Sequence, residues 1–193
     1  MASRLVPYSS QCAEPEAKLR RAIQSVLDQS FRDFELIVIA DGCKRTKEIV
    51  KEFKGIRFFE VKHTQLWGNA PRNAGIKNAK GEYIIYCDSD DWWGTEHLQI
   101  INSNIKDNDW VYYNDIAYDK RNARWIERAC NIHKMGACGT SNICHASRLG
   151  LHWQHPGYAH DYYFNQQLLR YHNFKRIPTP EYYVCHIPNN YDL

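Results

Sequence analysis

No apolar run in this 193-residue chain approaches the roughly 20 residues needed to cross a bilayer, so no membrane-spanning helix is expected. Met1 to Ser10 likewise lacks a signal-peptide hydrophobic segment. The expected location is therefore cytoplasmic, with attachment to a membrane face through an acceptor or partner left open. Neither a P-loop (GxxxxGK followed by Ser or Thr) nor a GxGxxG turn is present, which leaves an ATPase, a kinase or a dinucleotide oxidoreductase little support. Charge of one sign is also scarce. Against 25 Lys and Arg stand 22 Asp and Glu, and a net +3 is too mild for a nucleic-acid binder. Lys44, Arg45 and Lys47 read as a solvated helix start, and the Lys77 to Lys80 stretch is broken by neutral residues. There is no CxxC pair. The seven cysteines are odd in number and widely spaced, and with no secretory segment they are expected as reduced thiols. Cys130, His133, Cys138, Cys144 and His145 lack the close pair of a structural zinc site. No internal repeat, low-complexity tract or flexible linker divides the chain.

What is present suits one globular domain: 44% apolar and 24% charged residues, with 13 Tyr and six Trp. Arg4 to Pro7 offers a short first strand. Pro15 opens a helix whose Leu19, Ile23, Val26 and Leu27 share one face. FELIVIA, Phe34 to Ala40, is a buried strand running into the Asp41-Gly42 turn. A helix over Thr46 to Phe53 precedes a strand over Ile56 to Val61. A helix over Asn73 to Ala79 precedes EYIIYC, Glu82 to Cys87. This strand–helix alternation predicts an α/β fold with a mostly parallel sheet flanked by helices and ligands beyond the strand ends. A helix over Thr95 to Ile105, capped by Thr95, follows. Strands are expected at Trp110 to Tyr113 and Ile116 to Tyr118, then a helix over Tyr162 to Tyr171. Pro178 and Pro180 interrupt the chain before a last strand, Tyr182 to His186.

Asp88-Ser89-Asp90-Asp91 follows EYIIYC directly. Three carboxylates in four positions repel one another and need compensation or full solvation. At a strand end, Mg²⁺ or Mn²⁺ bridging to a diphosphate would supply it, and hard cations prefer oxygen ligands. A solvent-facing turn is the plainer reading, with Asp91 capping that turn or orienting a neighbour. Asp41 ends another strand, where its carboxylate can accept from a base N–H or hold the Asp-Gly turn. Arg72 suits a diphosphate, or a surface ion pair.

These residues resemble family 2 glycosyltransferases, which share the GT-A fold. The likeness begins at Val6-Pro7-Tyr8-Ser9 and strengthens in SVLDQSFRDFELIVIADG (25–42) and GNAPRNAGIKNAKGEYIIYCDSDDWW (68–93). It implies one GT-A domain over residues 1–193, with a donor-nucleotide half at 1–94 and an acceptor and catalytic-base half at 95–193. It implies that Pro7, Tyr8 and Ser9 border the nucleotide pocket and that Asp41 contacts the base. Arg72 and Asn73 match the segment beside the donor. Asp88-Ser89-Asp90 matches the DxD signature, with Asp90 the direct metal ligand and Asp88 assisting. The cofactor implied is Mn²⁺ or Mg²⁺, and the donor a nucleotide-sugar, UDP-linked by preference. GTSNICHASRLG (139–150) resembles the strand-and-turn region near the acceptor. GYAHDYYFNQQLLR (157–170) resembles the segment that carries an acidic pair, here His160-Asp161 instead of Glu-Asp. The opening residues, including Cys12 to Lys18, depart from the family's pattern. His186 faintly matches a late segment but suits a structural role better.

The resemblance implies inverting transfer to a hydroxyl of a glycan or other acceptor, with Asp161 as general base. His160 would position the acceptor or tune Asp161. Trp92 and Trp93 offer a sugar-facing wall or equally core anchors, and Tyr158 a further acceptor contact. A nucleotidyltransferase and a noncatalytic nucleotide-sugar or carbohydrate binder are the alternatives. A homodimer or partner protein completing the acceptor site is left open.

Overall fold

The computed structural model describes residues 1–5, 14–64, 68–119, 121–177 and 181–184. In chain order these form β1 (Ala2–Ser3), α1 (Pro15–Leu27), β2 (Leu36–Asp41), α2 (Lys44–Val50), β3 (Ile56–Val61), α3 (Asn69–Asn78), β4 (Tyr83–Ile85) and β5 (Trp92–Trp93). Then come α4 (His97–Ile105), β6 (Trp110–Tyr113), β7 (Asp115–Asp119), β8 (Arg124–Arg128), β9 (Ile143–Ala146), α5 (His160–Leu168), β10 (Phe174–Ile177) and β11 (Tyr182–Val184).

Pro15 begins α1, where its missing N–H has no intrahelical partner to lose, and Leu19, Ala22, Ile23 and Val26 turn inward. β2 is buried at all six positions, as a strand covered on both faces should be. It lies between β1 and β3 in an all-parallel three-stranded sheet. The remaining strands correct the expectation of one mostly parallel sheet. A second sheet runs β10-β6-β9-β4, with only β10 and β6 parallel. A third runs β5-β11-β7-β8, with only β11 and β7 parallel. The physical reason is connection length. β8 follows β7 too closely for a crossover and pairs back as a hairpin.

Several boundaries shift for equally local reasons. β1 is Ala2–Ser3 and not Arg4 to Pro7, because Ala2 registers with Ile39; residues 6 and 7 lie outside the described residues, as do His186 and the two prolines at 178 and 180. β4 keeps three residues of EYIIYC, since β9 offers partners only to Tyr83, Ile84 and Ile85. α4 starts after Glu96 without a side-chain cap, not at Thr95. Its first turn is satisfied from elsewhere: Gln29 Oε1 accepts the Leu98 amide at 2.8 Å, while Gln29 Nε2 donates to the Ser25 and Gly94 carbonyls at 2.9 and 2.7 Å. α5 begins at His160, two residues ahead of expectation.

The cysteine expectation fails at one pair. Cys130 and Cys138 form a disulfide, while Cys43, Cys87 and Cys144 are free thiols among the described residues. The intervening loop closes on itself through Asn131 N–H donating to Ala137 O at 2.8 Å, which brings the ends together despite their spacing. No helix among the described residues is long and apolar enough to cross a membrane.

Two cores result. One joins α1, α2 and α4 to β2. The other is aromatic and sits under α5: Trp153 stacks on Phe164 at 4.0 Å, and Tyr86 meets both edge-on at 5.4 and 6.1 Å. The Tyr86 hydroxyl pairs with His145 Nε2 at 2.8 Å and accepts from Trp153 Nε1 at 3.3 Å. Burial pushes the His145 imidazole down to about 4, consistent with a neutral core histidine.

Glu35 ties β2 to the end of α3. Its Oε1 accepts the Lys80 and Gly81 amides, and its Oε2 pairs with Arg57. Burial pushes the Glu35 carboxyl up, but these amides and the Arg57 guanidinium outweigh it and hold it below the usual value. The stabilisation is therefore complete above the unfolded-state value of about 4.3 and is lost as pH falls through the lower folded value. Glu35→Gln should cost about 1–2 kcal/mol at neutral pH. In denaturant titrations the gap to the parent protein should narrow as pH drops below about 4. A pH-independent gap would mean the charge contributes nothing.

Candidate donor and acceptor site

The chain leaves β4 into the acidic turn, where the Asp91 amide donates to the Asp88 carbonyl at 3.3 Å. The structure divides this cluster. Asp91 is fully buried and accepts the Tyr182 hydroxyl. Burial, followed by the charge of Asp91, pushes the Tyr182 phenol up, so it remains the donor. Asp88, Ser89 and Asp90 stay half-buried on the outer side, and the Asp90 carbonyl accepts from Arg21 at 3.1 Å. Sending one carboxylate inward relieves part of the repulsion that the sequence alone shows. Two carboxylates remain, and no group of three or more His, Cys, Asp or Glu able to hold a metal occurs among the described residues. Two partly exposed hard oxygen donors on one turn still fit Mg²⁺ or Mn²⁺. Mg²⁺ in particular is usually held by one or two carboxylates, with substrate phosphates completing its shell.

Arg72 sits on the first turn of α3. Its Nη2 lies 3.5 Å from Asp88 Oδ1, and its guanidinium stands 4.9 Å from the centre of the Trp153 ring. Gly68, at φ +81°, makes room for it, since a Cβ there would come within 2.9 Å of Arg72 Nη1. Asn73 beside it faces the chain rather than an open pocket. Its Nδ2 donates to Trp153 O and its Oδ1 accepts Trp153 N–H, both at 2.8 Å.

Asp41 ends β2, and its side chain is 7% exposed. Its Oδ2 lies 3.1 Å from His63 Nδ1, while its buried Oδ1 has no partner among the described residues. An unpaired buried carboxylate oxygen is costly, and a ligand N–H would relieve it. His63 is a neighbour the sequence reading missed. Gly42, at φ +63°, lets it approach, since a Cβ there would meet His63 Cβ at 2.6 Å.

On the second half, Asp161 lies in the first turn of α5. Its Oδ1 accepts the Thr140 hydroxyl and lies 3.1 Å from His160 Nε2, so the two adjacent side chains do meet. His160 Nδ1 stands 3.0 Å from Gly157 O. Both ring nitrogens thus face oxygens. Burial pushes the Asp161 carboxyl up, but His160, the charge of Arg72 and the Thr140 hydroxyl outweigh it, holding the group below its usual value. Arg72 therefore acts electrostatically on Asp161 while reaching toward Asp88. Thr140 was not singled out from sequence; nothing in GTSN marks its hydroxyl as facing a carboxylate 21 residues on.

The aromatic candidates are sorted by burial. Trp93 is 5% exposed and packs on His97 at 4.8 Å, so it is a core anchor and presents no face to a sugar. Trp92 stacks on Tyr183 at 5.2 Å and lies 4.1 Å under the Arg21 guanidinium, so its faces are occupied. Tyr158, at 74% exposure, is the open one. Pro7, Tyr8 and Ser9 lie outside the described residues.

The family model described as "Glycosyl transferase family 2" matches residues 11–173. Over 97 residues the chain is 37% identical to poly(ribitol-phosphate) beta-N-acetylglucosaminyltransferase TarP of Staphylococcus aureus (strain N315), covering 47% of this chain and 30% of that protein. Over 78 residues it is 36% identical to UDP-Glc:alpha-D-GlcNAc-diphosphoundecaprenol beta-1,3-glucosyltransferase WfaP of Escherichia coli, covering 39% and 31%. The aligned regions thus take in less than a third of either curated relative. The crystal structure of S. aureus TarS superposes on 88% of this chain and 34% of its own, with a TM-score of 0.74 and 18% identity. Residues 1–349 of TarS in complex with UDP-GlcNAc give 0.71, covering 88% and 55% at the same identity. At that identity the likeness speaks to the fold alone. With the family model spanning most of the sequence, the chain belongs to glycosyl transferase family 2.

Proposed function

We propose that this chain is a GT-A domain that transfers a sugar, with inversion, from a nucleotide-sugar to an acceptor hydroxyl. The observation that carries the reading is the position of Arg72, whose Nη2 lies 3.5 Å from Asp88 Oδ1 on the turn after β4 and whose guanidinium stands 4.9 Å from the Trp153 ring, itself 5.9 Å from the ring of His160 beside Asp161. A donor diphosphate beside Arg72 and an acceptor hydroxyl beside Asp161 would then be neighbours. A UDP-sugar is the favoured donor, supported by the UDP-glucose named for WfaP and the UDP-GlcNAc bound to TarS.

In this reading the acceptor oxygen attacks the anomeric carbon from the face opposite the diphosphate. The bond from that carbon to the diphosphate oxygen breaks, and the electron pair leaves with the nucleoside diphosphate. The hydroxyl proton passes to Asp161, which is ionised and able to accept it. Thr140 and His160 both hold Oδ1, leaving Oδ2 for the acceptor. Arg72 pairs with the diphosphate oxygens, and the open Oδ1 of Asp41 accepts from the nucleotide base. A divalent cation held by Asp90 with help from Asp88 would offset the charge on the departing diphosphate.

Incubation with UDP-, TDP- and GDP-sugars and mixed glycan acceptors should release one nucleoside diphosphate, faster with acceptor and with Mn²⁺ or Mg²⁺. Asp90→Asn should abolish the metal dependence. Release of pyrophosphate would identify a nucleotidyltransferase, and donor binding without turnover on any acceptor a binding protein.

Asp161→Asn should lower kcat by about 100-fold or more while donor affinity changes little. Thr140→Val, which removes one hydrogen bond and keeps the carboxylate, should give a smaller loss. Near-normal turnover by Asp161→Asn would remove Asp161 from the base role.

A further inference from the structure

Charge is shared unevenly along the chain. From Arg128 to Pro180 the sequence holds six Lys and Arg and six His but a single carboxylate side chain, Asp161. The rest of the chain holds 19 Lys and Arg against 21 Asp and Glu, so the net +3 hides a positive stretch and a slightly negative remainder. Burial is not the cause. The stretch has exposed positions from the 130–138 loop to β10, and among the described residues none of them is acidic. Its one carboxylate is the proposed base, which is half-buried.

Part of this charge is balanced internally, since Arg128 pairs with Asp115 and Arg148 with Asp109. Lys134 pairs with no carboxylate among the described residues. It sits on a loop of fixed shape. Cys130 and Cys138 close the loop covalently, and Ile132 is buried in the aromatic core. The Lys134 N–H donates to Asn131 O at 3.1 Å, and its carbonyl accepts the Ala137 amide at 3.2 Å. His133, Lys134 and Met135 stand exposed on this held main chain. The loop lies on the base side of the site. Cys138 O accepts from Asn165 Nδ2 of α5 at 3.4 Å, two residues before the Thr140 that binds Asp161. A Cβ on Gly136, at φ +74°, would come within 3.9 Å of the hydroxyl of Tyr158, three residues ahead of Asp161.

We infer that the acceptor is an anionic glycan, whose phosphate or carboxylate group is held by Lys134 on this loop while its reacting hydroxyl meets Asp161. This acceptor class deepens the transferase reading above and depends on it. Lys134 offers a compact charge with three donors, His133 beside it a further N–H, and Tyr158 an exposed ring and hydroxyl for the sugar. An approaching anion meets no carboxylate in the stretch but the base, so the field there favours it over a neutral glycan and steers it inward. The donor's own diphosphate does not account for the pattern, because Arg72 and the Asp88 turn that would receive it lie outside the stretch.

The test compares one oligosaccharide acceptor in neutral, phosphorylated and uronate forms. An anionic form should give a kcat/KM about tenfold or more above the neutral one, and whichever form is preferred identifies the group. Lys134→Gln should cut that preference by about fivefold or more, through the KM of the acceptor and not that of the donor. Lys54→Gln, which removes the same charge from an exposed site elsewhere, should leave the preference intact. A second arm needs no turnover. With UDP and Mg²⁺ saturating the donor site, methyl phosphate or methyl glucuronide should shift the amide resonances of His133, Lys134 and Gly136 in the parent protein and not in Lys134→Gln. Equal kcat/KM for all three acceptors, an undiminished preference in Lys134→Gln, or shifts confined to the surroundings of Arg72 would each overturn the anionic acceptor. Loop resonances that shift while no acceptor turns over would count against the transferase reading and leave the anion site in place.

Discussion

The reciprocal hydrogen-bond pair between Asn73 and the Trp153 main chain holds the two halves of the site in one arrangement. It links α3 to a segment 80 residues away, with both bonds at 2.8 Å. Each bond contributes only about 1 kcal/mol net, but losing the amide would strand a main-chain donor and acceptor at once. What hangs on it is larger than its energy. Trp153, held from behind, carries Arg72 near its ring and Phe164 stacked upon it. Phe164 belongs to the same helix that opens with His160 and Asp161. Arg72 and Asp161 are thus positioned from two sides of one indole.

The acidic groups are managed by the same economy of contacts. Asp91 leaves the surface for a hydroxyl, Asp161 is held by a hydroxyl and an imidazole, and Asp41 by an imidazole on one oxygen. In each case a polar neighbour from a distant part of the chain makes a buried or half-buried carboxylate tolerable. Asp88 and Asp90 stay half-buried on the outer side of their turn, with Asp88 Oδ1 3.5 Å from Arg72 Nη2. Around them Gln29 ties the end of α1 to the start of α4, and the aromatic core anchors α5 to β9.

Much of the first half was legible because its signals are local. The β3 strand and the start of α1 fell where expected, since buried runs and a Pro at a helix start act within a few residues. The GNAPRN and DSDD segments marked the neighbourhood of the site through spacing along the chain. The sheet arrangement was less legible. Nothing local tells that β9 returns antiparallel between β6 and β4, or that Trp92 and Trp93 form a strand against β11. The Cys130–Cys138 pairing was missed because a loop that bonds to itself shortens a distance that sequence separation overstates.

By itself the sequence determined the α/β character, the buried β2 strand and the residue types available at two strand ends, because hydrophobic period and turn chemistry are short-range. Only the tertiary structure decided which of those residues face outward. It sent Asp91 and Trp93 into the core and gave Asp41 and Asp161 the partners His63 and Thr140. Burial and pairing depend on contacts between residues tens of positions apart, and those exist only once the chain has closed on itself.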